Sequence, residues 1–321
     1  MSSAFRKAKV PFSLRDKGGR GRAVCRPILT RPAAATQRRA SPPANRFQHK
    51  WLRQACAHGA KKSQRKTLRA VLCSLLALGV VPVGVPSVAS EDFRVENEVF
   101  LEGRKKADSR STTIFRDGIV YDYLEEPPEV IVFDKPGGRF VLLETTRRVR
   151  TELTTQEVVA FTERLQKRAE ALEDPFVKFL AAPQFEEQYD EASGELTLSS
   201  PWMTYRLLLA DAESPAISQQ YRESCDWYAR LNTLLNPGSK PPFARLAVNA
   251  ALAKREAIPR QVRLMLTPEN GFPPKRTTIR SRHRLVRRLG QADLDRVAQT
   301  RQFMQIFKLV GFEQYRQLAH P

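Results

Sequence analysis

Beyond residue 90 the chain contains a single cysteine, Cys225, and two histidines, His283 and His320. The other three cysteines, Cys25, Cys56 and Cys73, all lie upstream. One thiol excludes an internal disulfide in the region after 90. It reads as a small buried apolar residue, with pairing to a second chain as the alternative. One cysteine and two histidines cannot complete a standard zinc site without carboxylates. The sequence also lacks H-E-x-x-H, G-x-S-x-G, a P-loop and G-x-G-x-x-G. The commonest metalloprotease, serine hydrolase and nucleotide-binding signatures are therefore missing, and no cofactor is expected. A nucleophilic pair of Cys225 and His283 has no flanking motif to support it.

Balanced charge is the next scarcity. The whole chain carries a formal +20, which taken alone suggests nucleic acid or an anionic membrane. Residues 1–90 hold 19 Lys/Arg against one acid, Asp16, whereas residues 91–321 hold 35 against 33. The excess thus belongs to the leader. The remainder, at +2, loses the main support for binding nucleic acid, and no such partner is expected.

Residues 1–60 are rich in Arg, Pro, Ala and Ser and hold no helical or strand period. They read as a disordered basic leader, or as sequence upstream of the true translation start. Residues 61–90 have the order of a secretory signal. Lys61, Lys62, Arg65, Lys66 and Arg69 precede the apolar run Ala70–Val81, and small residues Ser87, Ala89 and Ser90 precede Glu91. Two outcomes stand, a cleaved signal with a periplasmic or secreted product, and an uncleaved anchor in which residues 70–90 alone meet the membrane.

Residues 91–321 are expected to form a single α+β domain. "STTIFRDGIVYDYL" and "EVIVFDKPGGRFVLLET" are hairpins turning at Asp117-Gly118 and at Lys135–Gly138. The arms Val130–Phe133 and Phe140–Leu143 are apolar at every position, so both faces of that sheet need a cover. Thr154 and Glu157 fit a capping box that opens a helix, and Pro175 opens a short second one. A polar hairpin near Ser193-Gly194 and the strand 202–210 follow. Then come helices over 214–235 and 242–256, two strands, and one long helix from about Ala292 through Val310. The strands are tied by turns, which predicts a mainly antiparallel, curved, half-barrel-like sheet packed with several helices.

Two charged clusters are candidate sites. Glu186, Glu187, Asp190, Glu191 and Glu195 match no calcium loop and read as a solvated hairpin. Arg280, Arg282 and Arg284 alternate along a strand, which places three guanidiniums on one face as an anion-binding candidate. Pairing inside the fold is the competing account. Residues 91–210 carry 24 acids to 16 bases, and residues 211–321 carry 9 to 19, so the halves complement each other.

The order of hairpins and intervening helices in an exported chain resembles the outer-membrane lipoprotein carrier superfamily. "DGIVYD" followed by "EVIVFDKPGGRFVLL" is also similar to secreted planctomycete proteins. The likeness covers about residues 93–210. It implies a half-barrel whose concave apolar face holds lipid chains under helices, with no catalytic residues. The helix pair at 214–256 and the Arg-rich strand depart from that pattern. On this reading the protein is an exported, non-enzymatic envelope component with a lipid or apolar ligand. Phe115, Tyr121, Tyr123, Phe133, Phe140, Leu142, Trp202 and Tyr205 are the expected ligand contacts. The alternatives are a structural or interaction protein with a filled core, and a hydrolase with an unfamiliar site.

Overall fold

The computed structural model describes residues 90–236, 239–267 and 277–319. The chain divides into two compact units, and every described residue lies in one of them. The basic leader and nearly all of the signal segment lie outside the described residues. Among the described residues, no helix is long and apolar enough to cross a membrane.

Six strands come first: β1 (Phe93–Leu101), β2 (Ser109–Arg116), β3 (Ile119–Leu124), β4 (Glu129–Asp134), β5 (Arg139–Glu144) and β6 (Val149–Thr154). Helices α1 (Thr155–Glu170) and α2 (Pro175–Ala181) lead to β7 (Glu186–Asp190), β8 (Glu195–Ser199) and β9 (Met203–Asp211). Helices α3 (Pro215–Leu235) and α4 (Phe243–Ala253) lead to β10 (Ala257–Leu266) and β11 (Thr277–Val286). The chain ends in α5 (Gln291–Ile306), β12 (Lys308–Leu309) and α6 (Phe312–Ala319).

All twelve strands form one open, curved sheet in the order β12-β6-β5-β4-β3-β2-β1-β11-β10-β9-β8-β7. Every pairing is antiparallel except β12 with β6. The expected α+β class and antiparallel half-barrel are therefore what the chain adopts. Two meanders make the sheet, and they meet where β1 pairs with β11. Local chemistry explains the tight turns. Asp117 and Gly118 both have positive φ, 53° and 72°, the pair that a two-residue I′ turn requires.

The helices cover both faces, as the apolar arms of β4 and β5 demand. On one face, here the inner face, α1 and α3 bury Val158, Ile217, Tyr228 and Leu231 against Phe93, Phe115, Phe133, Phe140 and Leu142. Helices α2 and α4 bury Phe179, Leu180, Val248 and Leu252 against Leu196, Tyr205, Leu207, Val262 and Leu264. The outer face is covered by α5 over its N-terminal half, where Val297 and Phe307 pack on Tyr121, Tyr123, Val132 and Val141.

The capping box forms. Thr154 Oγ1 accepts from the Glu157 backbone N–H at 3.1 Å, and the Glu157 carboxylate accepts from the Thr154 N–H at 2.7 Å. Thr154→Ala is expected to cost about 1 kcal/mol in urea unfolding, and Thr154→Ser to restore it. Two expectations are corrected. The last helix stops at Ile306, because Lys308 and Leu309 leave it to pair with Val149 and Arg150, and a separate helix follows. The helix expected over 242–256 spans only Phe243–Ala253, because Ala257 already pairs with β9.

Candidate functional site

The inner face is not uniformly apolar. Its two apolar clusters are separated by a buried polar row that crosses β11, β1, β2 and β3. The register sets this row directly. Asn97 on β1 stands opposite His283 on β11 and opposite Ser111 on β2. Thr113, two residues along β2, stands opposite Asp122 on β3. Alternation places all of them on the same face as Phe93, Val95 and Val99. Asn97, Ser111, Asp122, Ser281 and His283 are each at most 7% exposed.

The hydrogen bonds run in one direction. Thr113 donates to a carboxylate oxygen of Asp122 at 2.8 Å. The Thr113 oxygen is then free to accept from Asn97 Nδ2, at 3.1 Å; the same amide also reaches Ser111, at 3.3 Å. Asn97 therefore turns its Oδ1 toward His283 Nδ1, 2.8 Å away, which must carry the proton. His283 Nε2 is left as an acceptor for the Ser281 hydroxyl at 2.8 Å. Burial, reinforced by the Arg245 charge, holds His283 well below the usual imidazole range, so it is neutral.

Ser281, His283 and Asn97 have the spacing of a nucleophile, base and orienting group. The surroundings do not complete such a site. The strand segment around Ser281 is paired with β1 on one side and β10 on the other, so its amides lie in sheet ladders and form no oxyanion cradle. The edge of Tyr221 from α3 lies across His283, with ring centroids 6.5 Å apart. Both imidazole nitrogens are engaged, by Asn97 and by Ser281. Cys225 lies beside the Tyr221 hydroxyl.

Helices α3 and α4 carry buried polar atoms with no hydrogen-bond partner among the described residues, Gln220 Nε2 and Asn249 Oδ1 among them, and the buried Tyr221 Oη has only the Cys225 thiol beside it. Asn249 is 1% exposed and donates from its amide to Asp226 at 2.7 Å. Burial pushes the Tyr221 phenol well above its ordinary value, with the neighbouring thiol adding to the effect. An open cleft of about 550 Å³ lies elsewhere, between β6, the start of α1 and the segment 309–312.

The eight expected ligand contacts are all strand or strand-flanking residues of the core, but they do not form one group. Phe115, Phe133, Phe140 and Leu142 share the first inner cluster. Trp202 and Tyr205 belong to the second, where Trp202 packs 4.7 Å from Phe179. Tyr121 and Tyr123 point to the outer face beneath α5. There Tyr123 contacts Thr300 at 3.0 Å and Tyr121 accepts from Arg301 at 3.1 Å. Burial raises the Tyr123 pKa to about 12.

The three arginines do share the outer face of β11. Arg284 is engaged by Glu96, with Nε 2.8 Å from the carboxylate. Arg280 and Arg282 lie over the Phe100 ring at 4.5 and 5.1 Å. In the acidic hairpin, Glu187 pairs with Lys254 and Arg255 at 3.3 and 2.7 Å. Among the described residues no His, Cys, Asp and Glu converge as a metal site.

The polar row was the part of the interior that motif reading missed. Its signal was a polar residue in phase with inward apolar ones, as in "FRVENEV". No family model matches the chain, and no curated protein matches it in sequence.

Proposed function

We propose that the protein binds an amphiphile between the curved sheet and its helical cover, as an exported, non-enzymatic component of the cell envelope. The observation that carries this reading is the banded inner face, with two apolar clusters flanking one buried polar row. Burying polar groups costs free energy even when they are hydrogen-bonded to one another, and apolar side chains of similar size would fill a purely structural core at less cost. An apolar–polar–apolar band matches a ligand with hydrocarbon on either side of a polar linkage. The Tyr221 hydroxyl, held only by the weakly bonding Cys225 thiol, and the unpartnered Asn249 carbonyl oxygen offer that linkage a donor and an acceptor. Residues 61–90 supply the argument for export.

Protein purified from its native host is expected to carry lipid, detected by extraction and mass spectrometry. Removing the Tyr221 hydroxyl gives up only its weak contact with the Cys225 thiol. Tyr221→Phe is thus expected to weaken binding of a pyrene-labelled fatty acid by about tenfold, the loss of one buried hydrogen bond, while leaving the unfolding midpoint nearly unchanged. An empty native protein that also shows no saturable probe binding would sink the reading in favour of a filled core.

A further inference from the structure

The outer face of the C-terminal half has no helix among the described residues, and the register builds a row of like charge there. Arg280 on β11 stands directly opposite Arg263 on β10, and Arg263 directly opposite Arg206 on β9. Arg282 sits one inward–outward repeat further along, opposite Gln261. Adjacent strands lie about 4.8 Å apart, so the three-arginine row spans roughly 10 Å. Like charges directly opposed across strands are destabilising. Elsewhere on this face the sheet compensates: Arg110 holds Glu98 at 3.1 Å, and Arg284 is held by Glu96. Here the compensation is slight. Arg263, Arg280 and Arg282 make no ion pair among the described residues: Arg280 and Arg282 lie over the Phe100 ring, and Glu98, opposite Arg282, is held by Arg110. Arg206 has one long pair, with Glu195 at 3.9 Å.

We propose that Arg206, Arg263, Arg280 and Arg282 form a docking face for the phosphate groups of an anionic phospholipid bilayer. The face is one side of an open sheet, so four separate guanidinium forks meet a plane of separate phosphates. Leu208 and Met265 stand one repeat from Arg206 and Arg263 on this face, half-buried, and suit an interfacial position. Carboxylates of β1 on one side and of β7 and β8 on the other confine the cationic strip. That confinement disfavours an extended polyanion such as nucleic acid. The inference extends the amphiphile reading by placing the protein at a source of its ligand, but it is measured independently of bound ligand.

The basic leader would bind anionic vesicles by itself, so the test reads the face and not the chain. A full-length variant with Cys25, Cys56, Cys73 and Cys225 changed to serine carries an environment-sensitive fluorophore at Thr197→Cys, opposite Arg206. A control carries it at Glu170→Cys on α1. Phosphatidylglycerol–phosphatidylcholine vesicles are expected to blue-shift the Thr197 probe and leave the Glu170 probe unchanged. Each arginine near an anionic surface contributes about fivefold to partitioning. Arg263→Gln should therefore raise the half-saturating lipid concentration about fivefold, and the quadruple Gln variant should abolish the shift. An unchanged Thr197 probe, or a shift that survives the quadruple variant, overturns the proposal. So does an equal shift with inorganic pyrophosphate or with RNA, which would assign the arginines to a soluble anion or to a polynucleotide. Lipid that co-purifies while docking fails refutes the docking face alone. Docking by a protein that never carries lipid refutes the interior site alone.

Discussion

Replacing Phe140 with alanine is expected to lower the unfolding free energy by about 4 kcal/mol. Phe140 is fully buried on β5, and no residue of the first inner cluster has a denser aromatic setting. Its ring stacks on Phe133 at 4.7 Å and meets Trp227 and Tyr228 edge-on at 6.1 and 6.4 Å. Truncation removes the transfer contribution and leaves a cavity between Phe133 of β4 and the Trp227 and Tyr228 rings of α3. For a domain of this size the loss corresponds to a fall in Tm of about 10 °C. Differential scanning calorimetry or urea unfolding followed by tryptophan fluorescence checks it. A loss below about 1.5 kcal/mol would mean that the helical cover relaxes into the space, and that α3 is not held rigidly on the sheet.

The second large effect belongs to His283. His283→Leu removes the donor to Asn97 and the acceptor for Ser281 while keeping an apolar side chain of comparable size. Two buried polar groups then lose partners, at about 1–3 kcal/mol each. The substitution also changes the pH dependence. Burial holds the folded-state imidazole well below its unfolded value near 6.5, so the unfolded chain takes up the proton first. Stability is complete above about pH 6.5 and falls as pH drops from there toward the folded-state value, with a limiting slope of about 1.4 kcal/mol per pH unit. Between pH 7.0 and 5.5 the wild type should lose about 1 kcal/mol from this group. His283→Leu should be less stable at pH 7 yet flat across that interval. Ser281→Ala keeps the imidazole buried and should keep the slope. Urea unfolding at the two pH values separates these outcomes, and a wild-type profile without the decline would show that His283 is reached by solvent.

The hairpins were legible because their turns are chemically specific and their arms pair with neighbours in sequence. Strand β6 was not. In "RRVRTELT" the inward set Val149, Thr151 and Leu153 is interrupted by arginines and a threonine, and a helix cap begins at its last residue. The end of α5 was invisible for a related reason. Met304, Phe307 and Val310 keep helical spacing, but pairing of Lys308 and Leu309 with β6 overrides it. The alternation of Arg280, Arg282 and Arg284 along a strand was legible, but not which charges stand beside them. Arg284 is engaged by Glu96, while Arg263 and Arg206 come alongside Arg280 from strands whose register no single segment reveals. The polar row depends on the same long-range register, joining residues 186 positions apart at its His283–Asn97 contact.

The placement of β1 has a consequence for how the sheet is made. The strand that comes off the ribosome first occupies the middle of the finished sheet, and its second neighbour, β11, is among the last strands to be synthesised. Until β11 arrives, β1 is a bare edge, and the completed meander β1–β6 exposes unpaired N–H and C=O groups along its length. Closing that seam means ordering a loop of more than 170 residues. Assembly of the two halves into one sheet is then the slow, non-local step of folding. A chain that crosses a membrane before it folds would meet that step only after both seam strands had reached the same compartment.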